Sequence, residues 1–396
     1  MLFYIQQVDI DIVSGINDVI LDVATMDDHI RLASFLNGQS QLDGAFSANQ
    51  ASMLRLSYAP SRYHGLKEGS WYDIDLDAFV DMRYQRTNPD DAGASFLRAN
   101  LVGIPRNGNY AQFLTTPRMA KIPLSTLELV VDPNPTGDIE LTVIDCGHGN
   151  WNEIKTATDR VIYDVGAGRW FTKAKVRSLV AGRRIASETR SISIVISHWD
   201  VDHFHALLEF DPTELAKLRV VFTPSQIPDT ETYRRVHRLL TQNGVTLAAL
   251  QPAGRLGTSR EIVLEPNWQK GVFTMFRATP GRSRNQTGIV LGVRGQHGIA
   301  LLTGDHHYNK VLTAASKEPT FFQQSCVLVT PHHGGLAGNP VAADWLAVFP
   351  TMATPISCGN NSYGHPMAAV AVELKAMQAG IVPWRTDVNG TWSKVL

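Results

Sequence analysis

The chain of 396 residues has few cysteines and no long apolar run. Its three cysteines, Cys146, Cys326 and Cys358, are too few for a disulfide framework, which favours a reducing compartment. No stretch of about 18 apolar residues occurs, so we predict no transmembrane helix and no membrane partner. The first residues lack a basic segment and contain Asp9 and Asp11, unlike a secretory signal. We therefore expect a cytoplasmic protein.

Charge is also scarce, and it is balanced. Charged residues make up 18% of the chain, and the net charge is -1 with histidine neutral. A globally basic nucleic-acid-binding protein is therefore excluded, although a local basic groove is not. Hydrophobic residues make up 44%, which is enough to bury a full core. The composition predicts a folded chain with one large domain or two ordinary ones.

A polar turn segment at 132–137, sequence DPNPTG, divides the chain into two regions. Residues 1–138 alternate short apolar runs with polar turns, as in the strand-like pattern WYDIDLD at 71–77. We predict an N-terminal accessory region that is rich in strands. From residue 139 onward, apolar strands alternate with helical patterns, which predicts an α/β domain over residues 139–396.

Residues of metal-binding types follow the apolar strands of this second region, one loop after another. Asp164 follows VIY at 161–163, and Asp305 follows a strand that ends in LLTG. The C-terminal ends of strands in an α/β protein share one edge, so these residues should converge there. The set expected at this edge is Asp164, His198, Asp200, Asp202, His203, Asp305, His332, His333 and His365.

The hexapeptide HWDVDH at 198–203 carries the strongest signal. It places two imidazoles and two carboxylates directly after a buried strand at 192–196. Side chains on so short a loop can face two ions, a common arrangement for ester hydrolysis. The structural alternative is a solvated loop that opens a helix, with Asp202 as its cap. Asp305 is either a turn residue or a carboxylate whose two oxygens bridge two ions.

Other histidines also have structural alternatives. The segment HHGG at 332–335 is either a polar turn with glycines at positive φ or part of the site, and two adjacent histidines after an apolar strand favour the site. The same holds for His365 in GHP. His148 is as well explained by a turn as by the site. At most one of His306 and His307 is expected to reach it.

With these motifs in order, residues 139–396 resemble the metallo-β-lactamase superfamily. Within it they look most like the hydrolase domain of the ComEC type, known from bacterial DNA-uptake channels. The motifs are DCGHGN at 145–150, YDVGAG at 163–168, SHWDVDH at 197–203, a segment from Asn285 to Asp305 that ends in LLTGD, PHHG at 331–334, NSYGHP at 361–366 and RTDVNG at 385–390.

The resemblance implies an αββα sandwich of the metallo-β-lactamase fold with two divalent ions, Zn²⁺ or Mn²⁺, at one edge of its two sheets. It also implies a division of the ligands between the ions. His198, Asp200 and one of His332 or His333 would hold one ion, and Asp202, His203 and His365 would hold the other, with Asp305 bridging them.

The sequence departs from the family pattern in three places. The second ligand of the loop is Asp200, where histidine is commoner, and an oxygen donor makes Mn²⁺ a credible alternative to Zn²⁺. Asn150 stands where the family usually has aspartate, which puts a contact to the site in question. Residues 1–138 match no part of the family, so their role is unassigned. A protein partner would bind through this region.

These residues predict a metal-dependent hydrolase, with a phosphodiesterase or nuclease as the first choice. A metal-bound hydroxide would attack the substrate. Asp202 and Asp305 would orient or deprotonate the water, and His332, His333 or Tyr363 would protonate the leaving oxygen. Two alternatives stay open. One is a hydrolase of a small ester, lactone, thioester or cyclic nucleotide. The other is a non-catalytic regulatory subunit with a vestigial metal site.

Basic residues near the metal-binding motif give modest support to a nucleic acid or nucleotide substrate. The alternative, with equal weight, is that they are scattered on solvated faces. They are Lys173, Lys175, Arg177, Arg183, Arg184, Arg190, Arg234, Arg235, Arg238, Arg282 and Arg284.

Overall fold

The structure is a computed structural model. It describes residues 1–10, 17–38, 53–58, 66–76, 79–84, 97–101, 106–108, 137–168, 171–253, 262–281, 283–361 and 363–396. The chain divides into two compact units, of which the first contains residues 1–118, 170–178 and 227–239 and the second the remainder. Most of the predicted turn, 132–136, lies outside the described residues, so the domain boundary at 138 stays a prediction. Within the described ranges, none of the helices has the length and apolar character needed to cross a bilayer.

The first unit contains a seven-stranded sheet, so the predicted N-terminal region rich in strands is confirmed. Its core includes the buried side chains of Phe3, Leu21 and Tyr72. The strand expected at 71–77 is shorter and ends at Asp73. The sheet order is β5-β6-β3-β2-β1-β4-β7, with β1 Leu2–Ile10, β2 Asn17–Val23, α1 Met26–Gly38, β3 Met53–Tyr58, β4 Trp71–Asp73, β5 Phe79–Tyr84, β6 Leu97–Leu101 and β7 Arg106–Gly108.

The second unit contains two further sheets. Seven strands form one sheet in the order β13-β12-β11-β10-β9-β8-β20, and six form the other in the order β14-β15-β16-β17-β18-β19. The strands are β8 Glu140–Val143, β9 Asn152–Lys155, β10 Asp159–Tyr163, β11 Ser191–Val195, β12 Leu218–Pro224, β13 Thr246–Leu250, β14 Leu264–Lys270, β15 Phe273–Ala278, β16 Ile289–Arg294, β17 Ile299–Leu302, β18 Ser325–Val329, β19 Thr351–Ala353 and β20 Trp392–Val395.

Helices follow and separate these strands. They are α2 Lys173–Gly182, α3 Val201–Phe204, α4 Pro212–Leu215, α5 Glu231–Gln242, α6 Tyr308–Ala315, α7 Ala342–Val348, α8 Ala368–Met377 and α9 Thr386–Asn389.

The two sheets of the second unit pack face to face through one apolar core. Val195 and Phe222 from the seven-stranded sheet belong to the same buried cluster as Leu291 and Leu302 from the six-stranded sheet. The outer face of the six-stranded sheet packs against α6, α7 and α8. In the seven-stranded sheet, Ile194 on the face turned away from the shared core is also fully buried. The predicted fold class, a mixed α/β sandwich with an additional strand-rich N-terminal region, is confirmed.

Parallel pairing explains why the metal-binding residue types meet. In the seven-stranded sheet, β10, β11, β12 and β13 run parallel, and in the six-stranded sheet β17, β18 and β19 do. Their carboxyl ends therefore lie at common edges. Asp164 follows β10, the 198–203 loop follows β11, Asp305 follows β17 and His332 follows β18.

A buried arginine ties the two sheets together close to this edge. Arg277 on β15 donates from Nη1 to the carbonyls of Thr287 at 2.7 Å and Gly288 at 2.8 Å. It donates from Nη2 to Leu250 O at 3.1 Å and from Nε to Gln251 O at 3.3 Å. Burial lowers the pKa of its guanidinium to about 10. One side chain therefore satisfies four carbonyls that come from both sheets.

We predict that Arg277→Met lowers the free energy of unfolding by about 3 kcal/mol, because buried carbonyl oxygens lose their donors. Urea unfolding of the metal-free protein measures the change. The matched control, Arg294→Met, alters an exposed arginine on β16 and should change stability by about 0.5 kcal/mol or less. Equal stabilities of the two variants would contradict this role for Arg277.

Candidate metal centre

The loop 198–203 directs its polar side chains inward and does not present them to solvent. Asp200, Asp202 and His203 are all at most 7% exposed. Asp200 is the N-cap residue of α3, and its side chain makes no capping hydrogen bond. Asp202 lies inside the helix, so it is not the cap. The structural alternative of a solvated, capping loop therefore does not describe this segment.

One group of potential ligands consists of Asp202, His203 and His333, which we call the second centre. Each offers one ligand atom, and these atoms lie within 4.8 Å of one another. His333 Nε2 is 3.3 Å from Asp202 Oδ2, and His203 Nε2 is 3.9 Å from Asp202 Oδ1. The opposite ring nitrogen of His333, Nδ1, is hydrogen-bonded to Ser357 O at 2.7 Å. That contact orients the His333 imidazole so that its Nε2 faces the Asp202 carboxylate.

His198, Asp200 and Asp305 form a neighbouring arrangement, which we call the first centre. His198 Nε2 lies 3.3 Å from Asp200 Oδ2 and 3.7 Å from Asp305 Oδ2. His198 and Asp305, together with His203, also form a group whose ligand atoms are within 4.8 Å. The first centre therefore borders the second through His203.

Asp305 lies between the two centres. Its Oδ1 is 3.2 Å from His203 Nε2, and its Oδ2 faces His198 and is also bonded to His332 Nδ1 at 2.7 Å. The two oxygens of one carboxylate thus face different histidines, His203 and His198.

The structure differs from the expected division of ligands in one respect. His333, and not His365, joins Asp202 and His203, while His332 contacts Asp305. Between the two adjacent histidines the backbone decides, because His332 and His333 both have left-handed φ values, 51° and 53°. Two consecutive residues in this conformation turn their side chains apart, so that only His333 reaches the second centre.

His365, Tyr363 and His148 form a cluster of rings beside the second centre. The His148 ring lies 4.4 Å from that of His333, and Tyr363 stacks on His148 at 5.4 Å and on His365 at 5.2 Å. The His365 and His332 rings are 5.2 Å apart. His148 thus belongs to the site. Neither donor group contains Asp200, His332, His365, His306 or His307.

A hydrogen-bonded network orients His203 through Nδ1, the ring nitrogen that does not face the two centres. Asp164 Oδ2 lies 2.8 Å from His203 Nδ1, which leaves Nε2 for the centres. The same carboxylate accepts from Ser197 Oγ at 2.8 Å and from Asn150 Nδ2 at 2.8 Å. Asn150 in turn accepts from Asn152. The amide at position 150 therefore keeps a contact to the site and makes it as a donor to Asp164.

The carboxylates of the site favour protonated imidazoles at two positions, His203 and His332. Burial disfavours a charged His203, but Asp305, Asp164 and Asp202 outweigh it and hold its pKa well above the usual range. Burial likewise opposes charge on His332, and Asp305 nevertheless raises the pKa of that imidazole to about 9. The negative charge that favours protonated histidines at this site would also attract a divalent cation.

The donor atoms fit such a cation. Among the described residues, Asp202 Oδ1, His198 Nε2, His203 Nε2 and His333 Nε2 are buried without a hydrogen-bond partner. Their separations from neighbouring donors, 3.2 to 3.9 Å, suit ligands that share one ion through bonds of about 2.0–2.2 Å. Mixed nitrogen and oxygen donors are compatible with Zn²⁺ and with Mn²⁺.

Arg284 is a member of the site that its sequence position did not reveal. We expected it only as one of several basic residues. Its Nη2 lies 2.9 Å from Asp200 Oδ1, and its Nη1 donates to Trp199 O at 3.3 Å. The one available signal was its place directly before the motif that begins at Asn285.

Fold and donor set together define an α/β sandwich with a buried centre of histidine and aspartate suited to divalent cations. No protein-family model matches the sequence, and no curated protein matches it. Solved structures of low sequence identity are similar in part. YhfI from Bacillus subtilis, a metallo-β-lactamase fold protein, is 12% identical, with 65% of this chain and 100% of YhfI covered and a TM-score of 0.41.

A diphosphatase of the PhnP family is 13% identical, with 66% of this chain and 99% of that chain covered and a TM-score of 0.35. The short form of human tRNase Z is 12% identical, with coverages of 48% and 76% and a TM-score of 0.29. Similarity this distant transfers no chemistry, so the function must be argued from this chain's own residues.

We predict that Asn150→Asp destabilises the metal-free protein by roughly 2 kcal/mol, because a carboxylate would replace a donor to Asp164 and repel it. Denaturant unfolding in the presence of a chelator measures this. Asn389→Asp makes the same change at an exposed position and serves as the control. A stability for Asn150→Asp equal to that of the wild type would show that the amide does not support Asp164.

Proposed function

We propose that this chain is a metal-dependent hydrolase that acts on phosphodiesters with two divalent ions. The observation that carries this proposal is Asp305, whose two oxygens face His203 and His198 separately. When bound, the ions would supply Lewis-acid polarisation and neutralise phosphoryl charge. The intact donor sets argue against a regulatory subunit with a vestigial site.

The chain's own residues would orient the reactants. Asp202 and Asp305 present fixed oxygens on either side of His203, suited to orient an attacking water. His332 is held at Nδ1 by Asp305 and is about one-third exposed, so its other nitrogen is left for a leaving oxygen. Tyr363, stacked on His365 at the edge of the ring cluster, is the alternative proton donor.

The contacts of the basic residues bear on the size of the substrate. Arg183 pairs with Glu153 at 3.0 Å, and Arg190 pairs with Glu188 at 3.1 Å. Arg234 pairs with Asp229, and Arg238 with Glu231. Arg282 lies outside the described residues. Carboxylates thus offset several charges that we had considered for a polyanion groove. A nucleotide or another small phosphodiester is therefore a second candidate beside a nucleic acid.

We predict that His333→Ala and His365→Ala separate metal binding from turnover. His333→Ala should lose an ion and reduce turnover by at least 100-fold, because it removes a donor of the second centre. His365→Ala should keep its metal and reduce turnover by about 10- to 100-fold, because its ring contacts the proposed proton donors.

Metal analysis after dialysis and assays in Zn²⁺ or Mn²⁺ make the comparison. The exposed His297→Ala serves as the control and should retain both properties. Metal loss in His365→Ala with full retention in His333→Ala would reverse the assignment of the second centre.

We expect the wild-type protein to hydrolyse bis-p-nitrophenyl phosphate, and a chelator to abolish this activity. A panel of single-stranded DNA, RNA, a cyclic nucleotide and a lactone then separates the substrate classes. Turnover of the lactone alone would exclude a phosphodiesterase. Activity that survives in the Asp200→Ala/His203→Ala double variant would place the chemistry at another site.

A further inference from the structure

Arg284 contacts the loop 198–203 at Asp200, a carboxylate neighbour of His198. Asp200 Oδ1 lies 2.9 Å from Arg284 Nη2. The arginine and aspartate side chains are only 12% and 10% exposed. A second contact, from Nη1 to Trp199 O, anchors the guanidinium to the same loop. The ion pair is therefore largely shielded from water, and its guanidinium is also attached to the backbone of the same loop.

The ion pair determines which oxygen of Asp200 faces the first centre. With Oδ1 held by Arg284, Oδ2 lies 3.3 Å from His198 Nε2. A carboxylate has two equivalent acceptor oxygens, either of which can face an ion, whereas a neutral imidazole has one acceptor nitrogen and one N–H donor. A carboxylate at position 200 can therefore give its second oxygen to a cationic side chain, whereas the second nitrogen of a histidine there could not pair with a guanidinium.

The second centre is supported in a different way. Asp164 is bonded to His203, and the carbonyl of Ser357 is bonded to His333. Both contacts come from strand-end segments of the second unit and do not involve position 284. Loss of the guanidinium should therefore affect the two centres unequally.

We propose that Arg284 is a positioning residue that makes Asp200 a ligand of the first centre and leaves the second centre unaffected. This inference rests on the proposed two-ion function. The charge of Arg284 acts against its positioning effect, because a guanidinium repels a divalent cation. Positioning should outweigh this repulsion, since partners that orient metal ligands contribute 10- to 100-fold to metal affinity. When the arginine is removed, loss of positioning predicts weaker metal binding at the first centre, whereas loss of repulsion predicts tighter binding.

The test measures Mn²⁺ binding to the metal-stripped full chain by calorimetry and by the electron paramagnetic resonance of free Mn²⁺. The wild type should bind two ions, and His333→Ala identifies the second centre by its loss. Arg284→Gln should weaken Mn²⁺ binding at the first centre about 10- to 100-fold and leave the Mn²⁺ affinity of the second centre unchanged. Arg294→Gln removes an exposed arginine and should leave both affinities unchanged.

A double variant separates positioning from a general structural effect. Asp200→His alone should bind poorly at the first centre, because it leaves the guanidinium beside the cation without its carboxylate. Combining Asp200→His with Arg284→Gln should restore the affinity toward that of the wild type, because it removes a cation with which an imidazole ligand cannot pair. A purely structural role for Arg284 would not produce this rescue.

The outcomes distinguish the inference from the function on which it rests. An unchanged or tighter first centre in Arg284→Gln, or a double variant no better than the single ones, would overturn the role of Arg284 alone. A wild-type chain that binds no Mn²⁺ and no Zn²⁺ would overturn the two-ion function, and this inference with it.

Discussion

The burial of four carboxylates at one edge of the sandwich is the constraint on which the site depends. Asp164, Asp200, Asp202 and Asp305 are each at most 7% exposed. Buried charge is costly unless it is paired, and each of these groups has a specific partner. Asp164 contacts His203 and Asp200 contacts Arg284, while Asp305 lies among three imidazoles. The histidine nitrogens that remain without partners in this shielded space have a metal cation as their natural complement.

Meeting this constraint places strain in the backbone. Asp164, His332 and His333 all have φ values between 51° and 60°, a region that costs a residue with a side chain roughly 1–3 kcal/mol. The surrounding fold must compensate for that cost. Arg277 contributes by holding the carbonyls of Thr287 and Gly288, and the next residue, Ile289, donates its amide to Ser197 O. A cross-sheet contact thereby fixes the residue directly before the metal-binding loop.

Sequence patterns predicted the location of the site because strand-end position is a local property. Asp164, the 198–203 loop and Asp305 each follow an apolar run, and parallel pairing brings them together as expected. Which of His332 and His333 groups with Asp202 and His203 depends on two left-handed residues, which periodicity does not reveal. The pairing of Arg284 with Asp200 joins residues far apart in the chain. Likewise, residues 170–178 and 227–239 group with the first unit, which no single boundary in the sequence describes.

The two centres differ in how the fold supports them. His203 and His333 are oriented by a buried carboxylate and by a backbone carbonyl, both fixed by the strand ends. Asp200 depends on one long arginine side chain, whose immobilisation costs up to about 2 kcal/mol of rotamer entropy. Under the proposed function, the first centre is therefore the one whose occupancy a single contact controls. On the same proposal, an aspartate at position 200 requires a second residue, the arginine whose charge holds its other oxygen.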